Sequence, residues 1–402
     1  MKVLLVNKFY YPRGGDCVYT INLEILLKKH GHEVAVFAME HPQTLDTPWR
    51  EYFPSEVKFR LGPSLFDAFM RPFGTKEVKE KFVRILERFQ PDVVHLNNIH
   101  SQLSPIVAEL SHQKGAKVVW TMHDYKLICP RYDCRRDDGI DCNECFAQSQ
   151  QGACQQKFNV FRHKCMKNSY LASYIAYREA VKWSRERLEK CTDYFICPSR
   201  FLADKMLEGG FDGNKLMVHT NFIDTGKCDV PDFSKEDYYC YVGRLSQEKG
   251  VKTLVEAANK LPYRLYVIGK GPMERELKMM AKDNVILLGK KGWDEIKDIE
   301  RRAKFSVIAS EMNENNPLSV IESECIGTPV LGARIGGIPE LIDEGVNGMT
   351  FESGNVADLM GKIKEMMHQT FNYQQIADQA KRTFSDLAYY DFLQQLYQST
   401  TL

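Results

Sequence analysis

The chain has 402 residues, a formal net charge of +1 at pH 7, and 44% hydrophobic and 27% charged residues. This length favours two domains over a single compact core. The balanced charge provides no overall field that would attract nucleic acid, and no apolar run is long enough to predict a membrane-spanning helix.

The N-terminal part alternates short apolar runs with helical stretches. The predicted strands are 2–9, 33–38, 92–97, 117–124 and 193–199, with helices near 16–30 and 101–114. Runs rich in Val, Ile and Leu that are joined by helices are typical of parallel strands buried on both faces. The apolar start ends at Asn7 and Lys8, so it predicts a first strand and not a signal peptide, and hence a cytoplasmic protein.

A second series of the same kind follows a segment without clear periodicity, 215–232, which we interpret as a linker. The predicted strands are 238–245, 264–271, 284–290, 304–310 and 329–333, with helices near 250–260, 273–282, 293–303 and 317–327. Two such series predict an α/β protein with two doubly wound, Rossmann-like domains that face a central cleft. The predicted domains are 1–214 and 233–380, and a helix is predicted within 381–402.

A loop with two cations follows the first strand of the second series, in the stretch YVGRLSQEKG. Gly243 permits a tight turn, and Arg244 and Lys249 precede a helix. Cations beside a helix N-terminus can bind a diphosphate, although a solvated surface loop would have the same composition. Gly269 and Gly271, in VIGKGP, would let the backbone approach a nucleotide.

Two glutamates, Glu314 and Glu322, lie eight positions apart in NENNPLSVIESE. Asn315 or Asn316 is expected to cap a helix that begins at Pro317. Glu314 would then lie in the loop before the helix and Glu322 inside it. These carboxylates suit hydrogen bonds to the hydroxyls of a sugar and of a ribose. The alternative is one acid near a cap and one solvated helix acid.

These stretches resemble the retaining nucleotide-sugar glycosyltransferases of family four, which have the GT-B fold. The matching stretches are PRGGDCVYTINLEILLKKHGHEV, TMHDY, GRLSQEKG, VIGKGP, NENNPLSVIESECIGTPVLGARIGGIPELI and GVNGMTF. The resemblance implies transfer from a UDP- or GDP-sugar to a saccharide or lipid-linked saccharide in polysaccharide or glycolipid biosynthesis. It also implies retention of the anomeric configuration, no metal for catalysis, and a C-terminal helix that crosses back to the first domain.

The resemblance assigns roles to individual residues. Arg244 and Lys249 would bind the diphosphate and stabilise it as it leaves, Glu314 would bind the donor sugar, and Glu322 the ribose. His123, a residue that would otherwise be interpreted as structural, would contact the sugar or its leaving group. The expected donor-binding set also includes Gly14, Gly15, Gly243, Gly269, Gly271, Asn316, Pro317 and Leu318.

A cysteine-rich insertion, 129–165, follows the predicted fourth strand. Cys142 and Cys145 have the spacing of half a zinc site, and two of Cys129, Cys134, Cys154 and Cys165 could complete it, with Cys134 and Cys154 as the chosen pair. The sequence therefore predicts a structural zinc site, with a loop of buried thiols as the alternative.

The stretch 157–190 is basic and aromatic. It could lie on an anionic membrane at the inner face and there meet a lipid-linked acceptor, or it could form an amphipathic helix packed on the first sheet.

Two other function classes remain open. One is a catalytically degenerate GT-B binding module, and the other is a GT-B epimerase or phosphorylase. A binding module has no need of Arg244, Lys249, Glu314 and Glu322 together, and an epimerase would need a different set of acids.

Overall fold

The structure is a computed structural model that describes residues 1–57, 63–136, 141–146 and 156–399. The chain divides into two compact units. One is Met1–Thr220 with Tyr390–Leu402, and the other is Asn221–Tyr389.

The first unit is built on a six-stranded parallel sheet with the strand order β2-β1-β3-β4-β5-β6. Its strands are β1 (Lys2–Val6), β2 (Glu33–Phe37), β3 (Val93–Leu96), β4 (Lys117–Thr121), β5 (Tyr194–Cys197) and β6 (Leu216–Val218). Its helices are α1 (Gly15–Lys29), α2 (Pro63–Met70), α3 (Lys76–Phe89), α4 (His100–Leu103), α5 (Ile106–Gln113), α6 (Asn159–Arg162), α7 (Tyr170–Lys182), α8 (Arg185–Lys190) and α9 (Arg200–Glu208).

Burial on both faces explains why the strands of this sheet are continuous apolar runs. Val3, Leu4, Leu5 and Val6 have no exposed surface, because helices cover both sides of the sheet. The covering helices bury one apolar side each, and α3 does so through Val78, Phe82, Ile85, Leu86 and Phe89.

The second unit has a six-stranded parallel sheet in the order β12-β11-β10-β7-β8-β9. Its strands are β7 (Tyr238–Val242), β8 (Arg264–Ile268), β9 (Val285–Gly289), β10 (Ser306–Ile308), β11 (Val330–Ala333) and β12 (Gly348–Phe351). Its helices are α10 (Val251–Ala258), α11 (Glu274–Met280), α12 (Trp293–Arg302), α13 (Leu318–Cys325), α14 (Val356–His368) and α15 (Tyr373–Thr383).

Each sheet has a point where the strand order reverses. This point lies between β1 and β3 in the first sheet and between β7 and β10 in the second. Ligands of open α/β sheets bind beyond the carboxyl ends of the strands at such points, because the adjoining loops diverge there and leave a crevice. The predicted α/β class with two doubly wound sheets is confirmed.

The structure differs from the prediction at three elements. The strands β6 and β12 were not predicted, and β6 lies within the predicted linker 215–232. The single helix expected over 101–114 is two helices, α4 and α5, because Ser104 has a left-handed backbone with φ of 71° and Pro105 follows it.

The last helix, α16 (Asp386–Gln398), leads into the C-terminal part of the first unit. There Tyr397 Oη lies 2.5 Å from His95 Nδ1, beneath the first sheet's carboxyl edge. Within the described parts of the chain, no helix combines the length and the apolar character needed to cross a membrane.

Candidate functional site

Two loops of the second unit bring its predicted cations and first glutamate together. Arg244 and Lys249 follow β7, and Glu314 follows the neighbouring strand β10. The Lys249 ammonium is paired with the Glu314 carboxylate, which also accepts a hydrogen bond of 2.8 Å from Ser310 Oγ. The residues predicted to bind the diphosphate and the sugar therefore lie at one edge of the sheet, on either side of the switch point.

Arg244 differs from Lys249 in its surroundings. Its guanidinium is exposed, and no residue that the structure describes forms an ion pair with it. Lys249 ends a 3₁₀ turn directly before α10, and its side chain is one third exposed. The edge thus presents one neutralised cation and one uncompensated cation.

Gly269 and Gly271 are required by the packing of one loop on another. A Cβ on Gly269, whose φ is +146°, would lie 1.8 Å from the carbonyl oxygen of Gly243. A Cβ on Gly271 would lie 2.2 Å from the carbonyl oxygen of Leu245. These glycines let the loop after β8 lie directly against the loop that carries Arg244, so they support the cation loop whether or not they also approach a ligand.

The expected cap of the glutamate helix is wrong. Helix α13 begins at Leu318, Pro317 occupies the N-cap position, and no side chain caps it. Asn316 does not cap because its Oδ1 accepts a hydrogen bond of 2.9 Å from the Asn221 backbone N–H. The Asn221 amide also donates to the Asn316 carbonyl, at 2.8 Å, so the loop is tied to the residue that opens the second unit.

Glu322 lies inside α13 and is half-buried. Burial raises its pKa to about 7. Glu300 of α12 is buried nearby, where burial and then the charge of Glu322 raise its pKa to about 8. A carboxyl group that titrates near neutral pH thus occupies the position predicted for ribose binding.

The first unit places His123 just beyond β4 with defined partners. Its Nε2 lies 2.9 Å from Asn97 Oδ1, and its ring makes an edge contact with Tyr19. The Asn97 amide nitrogen donates to the Val6 carbonyl at 3.5 Å, so Oδ1 is the atom that accepts and His123 carries its proton on Nε2. Burial lowers the pKa of His123 to about 4, which keeps the ring neutral with Nδ1 as an acceptor.

A buried hydrogen-bonded chain lies behind His123. His95 Nε2 is 2.7 Å from Thr121 Oγ1, which is 3.1 Å from Tyr19 Oη. Burial lowers the pKa of His95 to about 3, so this ring is neutral as well. The chain fixes Tyr19 against the His123 ring.

The predicted glycines of the first unit lie at the start of α1. Gly14 is at the N-cap position, and a Cβ on Gly15 would meet nothing within 4 Å. Asp16 in the first turn pairs with Lys8 at 3.3 Å. The helix N-terminus is therefore open, with one carboxylate and one ammonium beside it.

A further acid lies next to His123. Asp124 Oδ1 is 3.3 Å from His100 Nε2, and Asn98 Nδ2 donates to Asp124 Oδ2 at 3.3 Å. Burial opposes ionisation of Asp124, yet the His100 ring lowers the pKa of this carboxyl to about 2. The acid is therefore an anion at neutral pH.

Sequence reasoning missed several residues of these edges, notably Asn97, Asp124, Tyr19, Asn221 and Glu300. Asn97 had a usable signal, since it is a polar residue directly after an apolar strand. Asn221 and Glu300 had none, because their partners lie 95 and 22 positions away in the sequence.

The cysteine-rich insertion is described in part. The Cys129 and Cys134 thiols interact, which lowers the pKa of Cys129 to about 6. Cys134 and Cys145 are buried, Cys142 is half-buried, and Cys154 lies outside the described residues. Among the residues that the structure describes, no group of three or more His, Cys, Asp or Glu side chains could hold a metal. The zinc site stays a prediction for elemental analysis of protein purified without chelator.

Family comparisons cover almost the whole chain. Residues 13–227 match the model of Glycosyltransferase Family 4, and residues 228–383 match the model of Glycosyl transferases group 1.

Individual relatives show different extents of similarity. The chain is 27% identical over 181 residues to an uncharacterised glycosyltransferase of Methanocaldococcus jannaschii, covering 44% of this chain and 50% of the relative. It thus spans half the length of that relative. It is 24% identical over 396 residues to N-acetyl-alpha-D-glucosaminyl L-malate synthase of Bacillus anthracis, covering 95% and 92% of the two chains. The fold is similar to that of the Anabaena protein HepE in complex with UDP, with a TM-score of 0.67, 18% identity and full coverage of both chains.

Proposed function

The chain belongs to Glycosyltransferase Family 4, and from that membership we propose that it transfers a sugar from a nucleoside-diphosphate sugar to a saccharide or lipid-linked saccharide, with retention of the anomeric configuration. The observation that carries this proposal is the pairing of Lys249 with Glu314 beside the switch point of the second sheet, with Arg244 exposed in the loop that also carries Lys249. That arrangement supplies cations for a diphosphate and a carboxylate for sugar hydroxyls at one edge.

The main electrostatic requirement of the reaction is to stabilise the negative charge on the diphosphate leaving group. When the bond from the anomeric carbon to the diphosphate oxygen breaks, negative charge grows on the diphosphate. Arg244 is exposed and uncompensated, so its whole charge is available to that group. Lys249 would exchange part of its contact with Glu314 for the diphosphate, which would free Glu314 to accept hydrogen bonds from the sugar.

His123 has a separate role in the proposal. Its Nε2–H is occupied by Asn97, and its neutral Nδ1 would accept a hydrogen bond from a sugar hydroxyl. A neutral acceptor orients a hydroxyl without adding charge. Asn97 is then a positioning residue that sets the tautomer of His123.

The nucleotide specificity is testable by ligand-induced stabilisation. UDP, GDP, ADP, CDP and their common sugar conjugates are added separately, and the midpoint of thermal unfolding is measured. A ligand at a hundred times its dissociation constant stabilises the folded protein by about 2.7 kcal/mol. We expect one base to raise the midpoint, and HepE, whose complex contains UDP, makes UDP the first choice.

The control separates the nucleotide site from general stabilisation. Glu322→Gln should abolish the shift, whereas Glu365→Gln, an exposed acid on α14, should retain it. The anomeric configuration of the product, read by NMR, then decides retention. The absence of a shift with every nucleotide would contradict the proposal and favour a binding module.

A further inference from the structure

Helix α7 has one buried side and one side that faces solvent. Its inner side buries Ser173, Ala176 and Glu179, and Glu179 pairs there with Lys126 at 3.1 Å. The Ser169 hydroxyl caps its start by accepting from the Ala172 N–H. The helix is therefore anchored in the first unit, and its outer side does not contribute to that packing.

The outer side carries large side chains in unusual density. Tyr170, Leu171 and Tyr174 are 55%, 59% and 42% exposed. Tyr170 and Tyr174 are one turn apart, and the ring of Phe161 from helix α6 packs between them, 5.3 Å and 6.0 Å from the two ring centres. Three exposed apolar side chains within five residues form a patch, not scattered single residues.

Cations border this patch and lie on its rings. Lys164 Nζ is 4.4 Å from the centre of the Tyr170 ring, and the Arg178 guanidinium is 5.8 Å from that of Tyr174. Lys167 is exposed in the turn between the two helices, where its φ of 53° is left-handed. We define the aromatic–basic face as Lys164, Lys167, Tyr170, Leu171, Tyr174 and Arg178.

The charge of this region is one-sided. Residues 158–178 contain four Lys or Arg residues and no Asp or Glu, whereas the whole chain has a net charge of only +1. The neighbouring Glu144 is paired with His163 at 2.8 Å and contacts Arg136, so it does not neutralise the face. The local positive charge complements an anionic surface.

We propose that the aromatic–basic face docks the first unit on an anionic lipid bilayer. Tyrosine and leucine side chains on the exposed side of a helix enter the headgroup region, and the surrounding Lys and Arg side chains contact anionic headgroups. The cations are spread around the apolar residues and do not converge on a point, which matches a surface of many headgroups better than a single acidic group. Together with the proposed function, on which this extension rests, the face selects lipid-linked acceptors over free saccharides.

Flotation of the full-length protein with vesicles tests this proposal. The vesicles contain phosphatidylcholine alone or mixed with phosphatidylglycerol, at low and at high salt. We expect binding to the mixed vesicles at low salt, weak binding to phosphatidylcholine, and loss of binding as salt screens the charges.

Matched variants locate the binding surface. One cation near an anionic membrane strengthens binding about fivefold, so Lys167→Glu/Arg178→Glu should weaken it about 25-fold or more. Lys260→Glu/Lys364→Glu changes the charge equally at exposed lysines of the second unit and should have little effect. Leu171→Ser should weaken binding about tenfold, whereas Met279→Ser, at a residue that is 73% exposed on α11, should not.

The proposal is overturned if the wild type does not float at low salt, or if it binds both vesicle types equally. It is also overturned if the variants of the aromatic–basic face bind vesicles as well as the wild type does. A fourth contrary result is a wild-type dimer that binds no vesicles and that Leu171→Ser dissociates. The nucleotide-induced thermal shift, measured on the same samples, reports separately on the proposed function. Its loss would refute nucleotide binding while the vesicle result still decides the role of the face.

Discussion

Both sheets have six parallel strands, but the residues that follow the strands beside each switch point differ in charge. In the second unit, charged side chains gather beside the switch point, with Lys249 paired to Glu314 and Arg244 exposed. In the first unit, the candidate residue that follows a strand is His123, a neutral histidine that donates a hydrogen bond to the side-chain amide of Asn97. The charged set of the second unit suits an anionic diphosphate, and the neutral ring of His123 suits a hydroxyl group. The difference indicates that similar sheets acquire separate tasks from the few residues that follow their strands.

Removing Arg244, the uncompensated cation of the second unit, should lower turnover more than any other change described below. Arg244→Ala should lower turnover about 100- to 1,000-fold, because leaving-group charge loses a preorganised partner. The unfolding midpoint should stay unchanged, since the side chain is exposed and unpaired among the described residues. Steady-state kinetics with the nucleotide sugar that raises the unfolding midpoint measure the loss, and Lys260→Ala is the matched exposed control. Near wild-type turnover in Arg244→Ala would remove the diphosphate assignment.

Giving His123 a charged partner should have the next largest effect. In Asn97→Asp a carboxylate faces His123 Nε2–H, stabilises the imidazolium and raises the pKa of His123 above its value of about 4. Turnover should fall about tenfold, and an acidic limb should appear in the pH–rate profile because the ring becomes protonated as the pH falls through the raised pKa. Asn168→Asp, at an exposed asparagine of the first unit, is the matched control. An unchanged profile in Asn97→Asp would refute the positioning role of Asn97.

The pH dependence of donor binding would sharpen the contrast further. The pKa of Glu322 is raised to about 7, and in its proposed role the ionised carboxylate would accept hydrogen bonds from the ribose hydroxyls. The affinity for the nucleotide sugar should therefore rise severalfold between about pH 6 and pH 8. Calorimetry with a sugar conjugate, whose diphosphate stays ionised over this range, measures the effect. A flat pH dependence of the wild-type affinity would contradict it.

Glu300 should show the smallest effect, on stability alone. Its carboxyl group has a pKa of about 8 in the folded protein and about 4.3 when unfolded, so the folded state retains a proton that the unfolded state loses. Stability is therefore lost as the pH rises through this window. Glu300→Gln should unfold several degrees above the wild type at about pH 8.5 and close to it at about pH 5.

Lys235, whose pKa burial lowers to about 7, titrates in both proteins and so does not distinguish them. Glu365→Gln, on the exposed side of α14, should follow the wild type at both pH values. A constant difference between Glu300→Gln and the wild type at all pH values would show that Glu300 is not protonated near neutral pH.

Much of the second unit was predictable because the patterns that define its strands and loops are formed by residues close together in the sequence. The strands before Gly243 and Glu314 are continuous apolar runs, and the loop residues follow them directly in the chain. The cap of α13 was mispredicted because Asn316 had a long-range partner, Asn221, that no local pattern reveals. The strand β6 was missed because it lies in a stretch with Pro231 and no clear period, and β12 because it begins at a glycine directly after a polar turn.

The amino-acid sequence by itself determined the two doubly wound sheets, the family, and the identities of Arg244, Lys249, Glu314, Glu322 and His123 as candidates. These follow from hydrophobic period and short-range spacing, which are properties of neighbouring residues. The tertiary structure alone decided that Lys249 and Glu314 form a pair, that Asn97 sets the His123 proton, and that the outer side of α7 faces solvent. Protonation and exposure depend on which groups from distant parts of the chain share a low-dielectric site, and only the packed fold brings those groups together.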